Sequence, residues 1–150
     1  MSDRYYNPFQ NQHLSVPVNF RDDISRYCQT GEKQPIDMSP FPRMVDFWFL
    51  SLCVAVNKGI EPIDMDKFSA KETYKIIEGS IFASDPWRIQ AMMLLAIAKK
   101  GDIAIANQPS KMMSLMNGYA VAGLPYVIEM LKDGDDNAIW NLSENLEVLI

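Results

Sequence analysis

The sequence has few of the residues that metal sites and most catalytic sites require. It contains one histidine, His13, and two cysteines, Cys28 and Cys53. One histidine with no cysteine or glutamate at ligand spacing does not make a zinc site, and the two cysteines do not form a CxxC pair. The glycine-rich phosphate loops GxxxxGK[ST] and GxGxxG are both absent. The sequence therefore predicts no enzyme activity, no cofactor and no bound metal.

Long hydrophobic runs are also missing. The longest apolar run covers positions 44–56 and is interrupted by Asp46 and Ser51. A run of this length is too short to span a bilayer. The N-terminal residues are polar and aromatic and lack the apolar stretch of a signal peptide. These features predict a cytoplasmic protein without membrane contact.

Positive charge is scarce. The chain has 14 basic and 19 acidic residues, a net charge of −5. This balance argues against broad electrostatic capture of nucleic acid. The excess of acidic over basic residues is greatest in residues 112–150, which carry one basic and six acidic side chains. Any contact with phosphate is therefore expected in the near-neutral middle of the chain.

What the sequence does contain is typical of one compact domain. The chain has 150 residues, of which 48% are hydrophobic, enough to bury a core. Pro8, Pro17 and scattered aromatic residues predict an extended N-terminal arm over 1–19. Residues 20–150 are predicted to form a single helical domain.

Helical spacing and end signals predict an all-α fold, a compact bundle of about six short helices. Segments 20–29, 43–57 and 71–79 have this pattern, and a further helix starts at Pro109. Gly118, Gly123 and Pro125 predict a break or a kink before a helix over 125–132, and residues 137–149 are amphipathic. The stretch 103–108 is compatible with either a strand or a helical turn.

The segment SDPWRIQAMMLLAIAKKGD, residues 84–102, has the clearest helix signals. Ser84 or Asp85 can cap the start, Pro86 suits the first turn, and Gly101 follows two lysines at the end. Its apolar residues lie on more than one face. The helix over 84–101 is therefore predicted to be the central hydrophobic helix, packed between segments 43–57 and 109–132.

A cluster of methionines is the first candidate for a functional surface. Methionine fills irregular gaps in cores and also occurs at adaptable binding surfaces. Five methionines in and after the predicted central helix allow either reading, and we predict a partner-binding surface on their side: Met92, Met93, Met112, Met113 and Met116.

Lysines and aspartates give two alternative sites. Lys67, Lys71 and Lys75 recur every four residues, so a helix there would carry a basic stripe for DNA, extended by Lys99 and Lys100. A solvated face explains the first three equally well, and the helix dipole explains the last two. Asp64 and Asp66 form an acidic pair that either binds a metal or lies on the surface.

Three segments follow one another along the chain: FPRMVDFWFLSLCVAVNKGIEP, WRIQAMMLLAIAKKGDIAI and MNGYAVAGLPYVIEMLKD. In their order and spacing they resemble the small proteins associated with bacterial DNA-phosphorothioation (Dnd) defence clusters. The matching positions are Phe41, Met44, Asp46 and Trp48; Gly59 and Pro62; Leu95, Ala96, Ala98, Gly101 and Asp102; and Tyr119, Ala120, Gly123 and Leu124. The resemblance implies a role in anti-phage defence beside larger DNA-modifying, ATPase or nuclease subunits. It implies no active-site residues.

These observations lead to one main expectation and one alternative. We expect a non-catalytic helical accessory protein that binds larger protein subunits of a defence complex, with homo-oligomer formation open. The alternative is a small helical DNA-binding protein that uses the lysine stripe. The sequence leaves the partner, the oligomeric state and the proximity of Cys28 to Cys53 undetermined.

Overall fold

The computed structural model describes residues 6–29, 35–134 and 137–149. These residues form five α-helices, namely α1 (Arg21–Tyr27), α2 (Met44–Asn57), α3 (Pro86–Lys100), α4 (Pro109–Lys132) and α5 (Ala138–Leu149). They also form strands β1 (His13–Pro17) and β2 (Thr73–Glu78). Short 3-10 helices cover Val18–Phe20, Met65–Lys67, Gly79–Ser84 and Ile103–Asn107, and the last of these resolves the ambiguous stretch 103–108.

The fold is mostly helical, but the all-α prediction is only approximately correct because β1 and β2 pair as an antiparallel sheet. The segment 71–79, predicted as a helix, contains β2. Its Tyr74 lies opposite Val16 of β1, and its Ile77 lies opposite Leu14. Aromatic and β-branched side chains suit a half-buried pleated surface, and this preference outweighs the apparent helical spacing.

The N-terminal segment is packed into the core rather than extending away from it. Phe9, Leu14 and Val16 have no exposed surface. The Phe9 ring meets the Phe82 ring edge-on at a centroid distance of 6.1 Å. Of the predicted arm, only residues 1–5 lie outside the described residues. The described part of that segment is therefore a structural element of the folded chain.

The central helix is α4, not the predicted helix over 84–101. Fifteen of the 24 residues of α4 are buried, whereas four of the 15 residues of α3 are buried. Helix α2 lies alongside α4 and buries eight of its residues. Helix α3 is apolar on its outer side as well as its inner side, and the composition of a helix does not reveal whether a neighbour covers its outer side.

Close contact between α2 and α4 depends on Gly123. A Cβ atom at this position would lie 1.8 Å from the Ser51 carbonyl oxygen. Ser51 in turn donates its hydroxyl to the Phe47 carbonyl at 2.9 Å. Gly123 of α4 therefore allows α2 of the same chain to approach closely.

Pro125 does not break α4, which continues from Pro109 to Lys132. Proline inside a helix removes one backbone hydrogen bond and crowds the carbonyl four residues earlier, at a cost of about 3 kcal/mol. Leu124 and Val127, on either side of Pro125, are fully buried. Packing of the helix on both sides of the proline outweighs the local cost, so the predicted break is wrong.

Candidate docking surface

Helices α2 and α3 border a common groove and run in the same direction. At their N-termini, Arg88 of α3 donates a hydrogen bond to Asp46 of α2 at 2.8 Å. At their C-terminal ends, Lys99 forms an ion pair with Glu61, four residues beyond α2. Contacts at both ends fix the position of α3 against the rest of the molecule.

The N-terminal contact is a network of two arginines and two aspartates. Arg43 reaches Asp46 at 3.2 Å and Asp85 at 3.0 Å, while Arg88 Nη1 lies 3.7 Å from Asp85. Burial alone would raise the pKa of the Asp46 carboxyl, but hydrogen bonds from Arg88 and Arg43 outweigh burial and hold that pKa below its ordinary value. Asp46 is therefore a charged anchor for both arginines.

Arg88 also contacts two aromatic rings. Its guanidinium carbon lies 4.9 Å from the Phe49 ring centroid and 5.0 Å from that of Trp87. These rings meet edge-on, with centroids 5.4 Å apart. Arg88 Nε and Nη1 are buried and have no hydrogen-bond acceptor among the described residues. The aromatic contacts give this charge favourable neighbours where hydrogen bonds are missing.

An open groove of about 360 Å³ runs between α2 and α3. Phe49, Leu52 and Val56 of α2 line one side, and Ala91 and Leu95 of α3 line the other. The lining is almost wholly apolar, which is typical of grooves that accept an apolar side chain or helix face.

The outer face of α3 beside this groove carries an exposed apolar stripe, which we define as Trp87, Ala91, Leu94 and Ala98. All four are exposed, Trp87 by 56% and Leu94 by 66% of their surfaces. Their spacing of four, three and four residues places them along one line of the helix. Phe49 and Arg88 cover part of Trp87, and the rest of this apolar line is exposed, which makes it a candidate binding surface.

The methionines predicted to bind a partner lie mainly inside the molecule. Met92, Met112, Met113 and Met116 are buried, and Met93 is half-buried. They fill the core between helices, the structural alternative that the sequence left open. In this fold the exposed side of α3 is the side of Trp87 and Leu94, away from the methionines.

The predicted lysine stripe does not form, because its residues do not share a helix. Lys67 ends a 3-10 helix, Lys71 follows in a turn, and Lys75 lies on β2. Lys75 pairs with Glu78 at 3.1 Å, and Lys99 pairs with Glu61. Lys100 is exposed at the C-terminus of α3. The structure therefore does not assemble these lysines into the continuous surface that the DNA-binding alternative requires.

The remaining candidate residues have local structural roles. Asp64 Oδ1 accepts a hydrogen bond from the Asp66 backbone N–H at 3.0 Å and so caps a 3-10 helix. Cys28 and Cys53 are both free thiols, the first buried and the second exposed. Within the described ranges, no group of three or more histidine, cysteine, aspartate or glutamate residues could hold a metal ion.

Comparison of the chain with protein-family models, curated proteins and solved structures gives no match. Among the helices that the structure describes, none is long and apolar enough to cross a membrane.

The sequence predicted a partner-binding surface on the methionine side of α3, whereas the exposed apolar side chains of α3 lie on the side of Trp87 and Leu94. The sequence does indicate an apolar outer face, since the helix has apolar residues around its circumference and clear start and stop residues at its ends. What the sequence lacked was the position of α4, which covers the methionine side of α3 and leaves Trp87 and Leu94 outside.

Proposed function

We propose that this protein is a non-catalytic interaction protein that uses the α3 stripe to dock in a bacterial anti-phage defence complex of the DNA-phosphorothioation type. The observation that carries the proposal is the exposure of Trp87 and Leu94 on one line of α3. Tryptophan is enriched among the residues that dominate binding energy at protein interfaces. Covering these two side chains contributes on the order of 1 to 2 kcal/mol each.

The attachment of the N-terminal end of α3 supports the same role. The largely buried ion pair between Arg88 and Asp46 holds this end, whereas the pair between Lys99 and Glu61 at the other end is exposed to solvent and contributes little. A surface that is ordered before binding loses less conformational entropy when the partner arrives. Because Arg88 contacts the Trp87 ring, the largest side chain of the stripe is positioned by the same network that anchors the helix.

The defence context rests on the resemblance of three ordered segments to proteins of Dnd clusters. Two of these segments contribute α2 and α3, the helices that border the groove. Larger subunits of such a complex are the partners that this resemblance implies. The proposed role is assembly of those subunits by protein–protein contact.

The test is affinity capture of the tagged protein from cells expressing its native gene cluster. We expect the wild type to retain a protein encoded by a neighbouring gene, identified by mass spectrometry. Leu94→Asp should abolish this capture because it places a charge in the centre of the stripe. Val148→Asp is the matched control, since Val148 is 84% exposed and lies on α5.

A measurement of folding shows whether the loss of capture comes from the surface itself. Circular dichroism should show the same helical content and unfolding temperature for both aspartate variants, since each replaces an exposed residue. Retention of the same neighbouring gene product by Leu94→Asp, at the level seen with wild type, contradicts the proposal.

A further inference from the structure

We draw no further inference here: the strongest candidate, the open apolar groove between α2 and α3 lined by Phe49, Leu52 and Leu95, carries none because nothing in the described part of the chain shows what covers it.

Discussion

The amide oxygen of Asn117 accepts a hydrogen bond from the indole Nε1 of Trp48 at 3.1 Å, within the core between α4 and α2. The same oxygen accepts the backbone N–H of Ser15 at 3.0 Å, and the Asn117 amide nitrogen donates to the His13 carbonyl at 3.1 Å. One buried side chain therefore connects α2, α4 and β1. Its polar atoms are all paired, as burial requires.

Replacing Asn117 should destabilise the protein strongly. Asn117→Leu keeps a similar volume but leaves the donors of Trp48 and Ser15 without an acceptor, so we expect the free energy of unfolding to fall by about 2 to 4 kcal/mol. Urea unfolding followed by tryptophan fluorescence measures this change. Asn107→Leu, at an exposed position, should change stability by less than about 0.5 kcal/mol. Equal effects of the two substitutions would show that the Asn117 network contributes no stability.

Two glycines provide a matched pair for testing the packing of α2 against α4. Gly123→Ala forces a Cβ against the Ser51 carbonyl oxygen, so the helices must separate and stability should fall by about 3 kcal/mol. Gly101→Ala meets no atom within 4 Å, but Gly101 has φ of 67°. Only the strain of the left-handed backbone then applies, at about 1 kcal/mol. Thermal unfolding of both variants should rank Gly123→Ala as the less stable, and the reverse order is incompatible with the close approach.

Asp46 should make stability depend on pH in the acidic range. Against the effect of burial, hydrogen bonds from Arg88 and Arg43 lower the folded-state pKa of Asp46 below its ordinary value, so the carboxylate contributes stability that is fully present above the pKa of the unfolded chain. The contribution is lost as pH falls through the lower folded-state pKa. Urea unfolding at pH 7 and at successive values below 4 should therefore show a steeper loss for wild type than for Asp46→Asn. Parallel curves for the two proteins would exclude Asp46 as a source of acid sensitivity.

The two cysteines should differ in reactivity. Burial, with a smaller contribution from the negative charge of Asp46, raises the pKa of the Cys28 thiol to about 12. Burial also raises the pKa of the Cys53 thiol, opposed by the positive charge of Arg88, so the two thiols differ mainly in access: Cys53 is exposed and Cys28 is buried. A thiol reagent at pH 8 should therefore label the folded protein at Cys53 alone and the denatured protein at both cysteines. Cys53→Ser should leave no fast-reacting thiol in the folded state. Fast labelling of that variant would show that Cys28 is accessible.

Much of the helical framework could be predicted because local signals define it. Pro86 and Gly101 lie at the two ends of α3, and the apolar run of α2 indicates its burial. Strand β2 was missed because its stability comes from pairing with β1, about 60 residues earlier in the chain. The stripe could not be located for the same kind of reason, since the exposure of Leu94 depends on where α4 lies and not on the sequence around Leu94.

The bond between Ser15 and Asn117 joins residues 102 positions apart. During synthesis β1 is made before its strand partner and its asparagine acceptor, which follow about 60 and about 100 residues later. Helix α2 can form from local contacts in the meantime, but the side chains of Leu14 and Val16 are not buried as in the folded chain until α4 has been made. Contacts of such long sequence separation are expected to make completion of this core slow.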